Sequence, residues 1–201
     1  MTAQALDSDA DAARQARPAS PHPIGGSSVR LVVVVGNPKP ASRTYTVAAA
    51  AARAVAVATG IAGEPEMIDL SGLAPRLLIA TPSAAVEDAL DQVSLADLLL
   101  VASPTFKGSY TGLLKVFLDL LPHRGLESVT ALPLLVMRAP QHALAVEVHL
   151  RPLLVELGAR VPTAGVAVLE SDLGRLGEIL VPWAASVANA LASPRLAGST
   201  S

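Results

Sequence analysis

A chain of 201 residues with 15 Lys+Arg, 17 Asp+Glu and 51% hydrophobic residues has the size and apolar content of one domain with a sizeable core. The lack of any cysteine excludes disulfides, iron–sulfur clusters, Cys-type zinc sites and a thiol nucleophile, so redox chemistry here needs an organic cofactor. A net charge of −2 offers no long-range attraction for nucleic acid or an anionic membrane, and the few aromatics are too scattered for a base-stacking platform.

Residues 1–28, rich in Ala, Asp, Ser, Pro and Gly, read as a disordered tail, because such a segment buries too little apolar surface to offset its ordering entropy. The tail lacks the apolar centre of a secretory signal, and no apolar stretch approaches the roughly 20 residues of a membrane span, so a cytoplasmic protein is expected. Residues 29–193 then form the expected folded domain, with 194–201 a flexible C-terminal tail.

The domain opens with "VRLVVVVG", a β-branched run too short and too continuous for an amphipathic helix, which predicts a buried parallel strand ending at Gly36. The loop "NPKPAS" leads into an Ala-rich helix expected over residues 43–59, and a short strand follows around 65–70. A helix over 84–94 precedes "ADLLLVAS", a second fully buried strand, and then the loop "PTFKGSYTG". Residues 112–121 predict a helix with Leu113, Leu114, Phe117, Leu118 and Leu121 on one broad face. Residues 132–137 form the next strand, and 143–157 a helix that Pro152 should kink or bulge. "VPTAGVAVLE" is the fifth strand, and a last helix over 173–191 carries Trp183, read as core or interface packing.

Five strands alternating with helices predict an α/β fold, a flavodoxin-like doubly wound five-stranded parallel sheet of order 2-1-3-4-5 with helices on both faces. Sheets of this kind bind ligands at the carboxyl ends of their strands, beside the switch point between strands 1 and 3. The loops after Gly36, Ser103 and Met137 are therefore the candidate site.

In the first of these loops, Asn37, Lys39, Ser42, Arg43 and Thr44 sit just ahead of a helix, where free amides, hydroxyls and cations suit a terminal phosphate. An ordinary capped helix behind a Pro-rich turn accounts for the same residues. Neither Gly-x-Gly-x-x-Gly nor Gly-x-x-x-x-Gly-Lys-Ser/Thr occurs, which disfavours a diphosphate or triphosphate. The second loop sets Pro104, Thr105, Phe106, Lys107, Gly108 and Ser109 where backbone donors and small side chains can line a planar heterocycle, or simply turn the chain into a helix capped by Ser109 or Thr111. His142 and His149 share a helical face but lack a third ligand, so no metal site is expected. No nucleophile elbow or His-Glu-x-x-His helix supports a hydrolase. A phosphoacceptor receiver domain would need acidic residues where Gly36-Asn37 and Ser103-Pro104 stand.

"VVVVGNPKPASRT" followed by "VASPTFKGSYTGLLKVFLDLLPHRGL" resembles the NADPH-dependent FMN reductase family, most closely the reductases that supply alkanesulfonate monooxygenases. The resemblance implies FMN and NADPH, or NADH, as cofactors, reduced flavin delivered to a flavin-dependent monooxygenase or another acceptor, and a homodimer or homotetramer. It assigns Ser42, Arg43 and Thr44 to the FMN phosphate, with Lys39 in place of a usual Arg, and residues 104–109 to the flavin ring. Hydride transfer by stacked rings needs no side-chain acid or base, so no catalytic residue is expected.

Where relatives place a Gly-rich turn, this chain has Met137 and Arg138. Those side chains are expected to narrow the pocket, with Arg138 either at the pyrimidine edge or turned to solvent. If Met137 blocks the ring, the scaffold serves as a non-catalytic binding protein instead. In relatives the region of Glu147, Val148 and His149 can carry an inserted residue that widens a helical turn.

Overall fold

The computed structural model describes residues 29–193, so the tails expected at 1–28 and 194–201 lie outside the described residues. Five parallel strands, β1 (Leu31–Val35), β2 (Glu66–Asp69), β3 (Leu98–Pro104), β4 (Thr130–Met137) and β5 (Val166–Leu169), form one sheet in the order β2-β1-β3-β4-β5. This is the flavodoxin-like order expected from the alternation of elements.

The continuous apolar run of β1 follows from burial on both faces. Val32 and Val34 enter one core with β2, β3 and the helices α2 (Ala84–Ser94) and α3 (Gly112–Leu118), whereas Leu31, Val33 and Val35 enter the other with α1 (Arg43–Thr59) and α5 (Leu176–Ala192). Both cores need apolar side chains, so the alternation of a one-sided strand is absent. Ala48, Ala51 and Ala52 lie fully buried on α1, and their small side chains let the helix approach the sheet closely. Ser42 caps α1 by accepting from the Tyr45 amide at 3.2 Å, and Gly60, at φ 72°, closes it in the left-handed conformation.

Pro133 stands in the middle of β4, where a proline cannot donate to the ladder. Ala131 donates to the Arg160 carbonyl, so Pro133, two residues on, turns the same edge toward β5. There the chain leaves the ladder as a loop over residues 161–165, and pairing resumes at Leu134 with Val166. Gly165 packs against the proline: a Cβ on it would lie 3.0 Å from Pro133 Cγ and 2.4 Å from Val146 Cγ2.

Two helices depart from their expected extents. The one predicted over 112–121 stops at Leu118, because Leu120 and Leu121 donate to carbonyls three residues back and tighten the last turn. The one predicted from 173 begins at Leu176, after a 3-10 turn over Glu170–Arg175. Trp183 is buried on α5 and donates from Nε1 to the Ala164 carbonyl at 3.1 Å, as a packing residue should.

The helix expected to be irregular near Pro152 is a π turn over Val146–Leu150 continued by α4 (Arg151–Glu156), with the proline in the first turn of α4. Glu147 in that turn pairs with Arg151 and accepts from the Gly165 amide at 2.6 Å, while Arg151 also donates to the carbonyls of Val161, at 2.8 Å, and Thr163. The pair thereby clamps the loop over 161–165. The Arg151 hydrogen bonds hold the Glu147 carboxyl below its ordinary value of 4.5, with burial opposing and the Gly165 amide assisting.

A carboxyl depressed in the folded state stabilises the fold above its unfolded value and loses that contribution as the pH falls through the folded value. The clamp should therefore be fully effective near neutrality and weaken below about pH 4.5. Glu147→Gln is expected to lower the melting temperature at pH 7 and to flatten its decline between pH 5 and 3, read by thermal unfolding across that range.

Candidate functional site

The first two site loops are locked to each other by one buried threonine. Thr111 Oγ1 donates to the Gly36 carbonyl at 2.5 Å and accepts from the Leu114 amide at 3.1 Å, so the cap of α3 also holds the end of β1. Its amide donates to Ser103 Oγ at 3.0 Å, and the Gly36 amide donates to the Ala102 carbonyl at 2.7 Å. Gly36 is required at this crossing, because a Cβ there would lie 2.6 Å from Leu114 Cβ. Of the two capping residues expected for α3, Thr111 takes the role.

Beyond Gly36, Asn37 folds the loop back on itself. Its Oδ1 accepts from the Lys39 amide at 2.9 Å and its Nδ2 donates to Thr44 Oγ1 at 3.0 Å. Ala41 adopts φ 48°, a left-handed conformation uncommon outside glycine, just before the Ser42 cap. Ser42 and Thr44 are buried with their hydroxyls engaged, whereas the amides of Arg43 and Thr44 have no acceptor among the described residues. The first turn of α1 thus offers free N–H groups at the positive end of a 17-residue helix.

The second loop is a two-residue hairpin. Phe106 and Ser109 exchange backbone hydrogen bonds at 2.8 and 3.2 Å around Lys107 and Gly108, at φ 54° and 81°, the left-handed pair of a type I′ turn. The Thr105 amide donates to the Val136 carbonyl at 2.8 Å and anchors the base of the hairpin on β4. Thr105 Oγ1 is buried with no hydrogen-bond partner among the described residues, a costly state unless something else supplies one.

A cavity of about 390 Å3, within the range of small-molecule sites, lies at the carboxyl ends of β3, β4 and β5. Pro104, Thr105, Phe106 and Lys107 form one side, and Val136, Arg138 and Glu170 the other. Five residues expected from sequence therefore meet on its wall. Gly108 and Ser109 belong to the adjoining hairpin, and Asn37, Lys39, Ser42 and Thr44 to the neighbouring loop.

Met137 departs from expectation, because its side chain is buried at the end of β4 and does not line the cavity. Arg138 does reach the wall, with 82% of its side chain exposed and its Nε 3.4 Å from Glu170 Oε2.

Glu170 was not foreseen. Its Oε2 also accepts from Arg43 Nη1 at 2.5 Å, so one carboxylate holds a cation from the first loop and a cation from the third. The signal lay in the register: Met137 pairs with Leu169, which sets the next residues, Arg138 and Glu170, side by side. No helix among the described residues is long and apolar enough to cross a membrane.

Replacing Thr111 by valine leaves the Gly36 carbonyl and Leu114 amide without their buried partner. It is expected to cost about 1–3 kcal/mol of stability, measured by denaturant unfolding.

The sequence model of the NADPH-dependent FMN reductase family matches residues 29–173. An FMN reductase (NADPH) of Escherichia coli (strain K12) is 40% identical over 68 residues, covering 34% of this chain and 36% of that protein. The match thus spans about a third of the length of the curated relatives. Among solved structures, an NADH:FMN oxidoreductase in its apo form superposes with a TM-score of 0.67 and 31% identity over 79% of this chain and 89% of its own. An oxidoreductase from Corynebacterium diphtheriae does so with a TM-score of 0.69 and 28% identity over 82% and 97%.

Proposed function

Since the chain belongs to the NADPH-dependent FMN reductase family, we propose that it reduces FMN with a nicotinamide nucleotide and releases the reduced flavin to a monooxygenase or another acceptor. The observation that carries this reading is the open cavity at the strand ends, walled by Pro104–Lys107, Val136, Arg138 and Glu170, with Glu170 bound in turn to Arg43 of the first turn of α1, whose amide has no acceptor among the described residues. Unpaired amides beside a cation fit a ligand that brings a phosphate, and a cavity of this size fits a planar ring.

FMN bound there would supply a hydride acceptor at its ring, and the remaining work falls to the chain. The amides of Arg43 and Thr44, the Ser42 hydroxyl and the Arg43 guanidinium would hold the phosphate. Thr105 would hydrogen-bond the ring edge, Pro104 and the Phe106–Ser109 hairpin would support the ring, and Arg138 would stabilise negative charge that develops on its pyrimidine side. Lys107 and Arg138 set cations on the cavity wall, the latter beside the Glu170 carboxylate. No side chain needs to move a proton for the hydride step, because positioning supplies the rate. The protein is proposed to act as a dimer or tetramer, measurable by light scattering.

Purified protein mixed with FMN and either NADPH or NADH should show saturable loss of the nicotinamide absorbance band. No loss with either nucleotide would overturn the reading. Arg43→Ala should weaken FMN only about two- to fivefold while leaving riboflavin, which lacks the phosphate, nearly unchanged in fluorescence titrations. Arg138→Ala should lower FMN affinity or turnover without changing the melting temperature, and unchanged values for both would remove Arg138 from the site.

A further inference from the structure

Arg43 departs from α1 beside β1, yet its guanidinium meets a carboxylate that follows β5, with β3 and β4 lying between those strands in the sheet. The contact is short, 2.5 Å from Nη1 to Glu170 Oε2, and Arg43 makes no other side-chain hydrogen bond among the described residues. The same oxygen lies 3.4 Å from Arg138 Nε, and Glu170 itself forms part of the cavity wall. A carboxylate thus already satisfies the guanidinium carried by the first turn itself, so an arriving phosphate finds that charged partner engaged.

We propose that Glu170 is an internal counter-anion for which the flavin phosphate exchanges on Arg43, and that this exchange keeps the flavin weakly held and replaceable. This rests on the reductase reading above. When the phosphate takes Arg43, one ion pair breaks for the one that forms, so the net electrostatic gain is small. Glu170 then remains paired with Arg138 on the cavity wall and repels a phosphate that strays toward the ring end. A ligand with no phosphate gains nothing from Arg43 and meets Glu170 only through its longer contact with Arg138, at 3.4 Å. The carboxylate therefore sets how much the phosphate contributes to affinity, without touching the reacting ring atoms.

The test is a titration of FMN and of riboflavin against the wild-type protein, Glu170→Gln and the double variant Arg43→Ala/Glu170→Gln, followed by flavin fluorescence. Glu170→Gln should tighten FMN by about three- to tenfold and shift riboflavin by less than about twofold. Added salt should weaken FMN more in that variant than in the wild type, since an uncompensated cation now meets the phosphate. In the Arg43→Ala background, Glu170→Gln should produce no such tightening. FMN binding that is unchanged or weaker in Glu170→Gln, or tightening shared equally by riboflavin, would overturn the exchange while leaving the reductase reading intact. A wild-type protein that binds neither flavin would overturn both.

Discussion

A single buried hydroxyl sets the relation between the parts of this molecule that matter for ligands. Thr111 Oγ1 accepts from the helix it caps and donates to the last carbonyl before the first loop, so the start of α3 and the end of β1 share one atom. The two loops cannot move apart without breaking a bond buried away from water, where no solvent molecule replaces the lost partner. Leu114 presses the same point from the side, at a distance that leaves no room for a Cβ on Gly36. The cavity is accordingly framed by backbone whose position is fixed before any ligand arrives.

On that rigid frame the charges are arranged economically. Two arginines from distant parts of the sequence converge on Glu170, although the two guanidiniums differ in how firmly they are held: one at 2.5 Å, the other at 3.4 Å and largely in solvent. Neither contact is buried enough to be a strong stabiliser of the fold. Their importance lies in where unpaired positive charge is displayed. The Glu147–Arg151 pair on the far helix differs in kind, because each of its members also binds backbone from the loop beside β5 and so holds a segment whose ladder is interrupted at Pro133.

The sheet was readable from sequence because β1 and β3 are buried on both faces and their apolar runs have no polar interruption. The extent of α1 was readable because its Ala-rich run lies between Ser42 and Gly60. The 3-10 turns after β2 and β5 escaped detection, since three to six residues carry no periodicity. The same reason shortened α3 and delayed α5. Pro104 to Lys107 and Arg138 reach the cavity wall because they follow the strand ends that the fold rule and the family resemblance single out, whereas Glu170 depends on how β5 registers against β4 and on the direction in which Arg43 extends. Neither is encoded by local pattern. Met137 misled because position in the chain does not tell which way a strand-end side chain points.

The hairpin between Phe106 and Ser109 closes on itself through its own two backbone hydrogen bonds, and among the described residues nothing packs within 4 Å of where a Cβ on Gly108 would lie. Its tip is therefore the part of the cavity rim least bound to the framework. Evolution, or an engineer, can lengthen or recharge that tip to admit a bulkier electron acceptor while the strand beneath keeps its place.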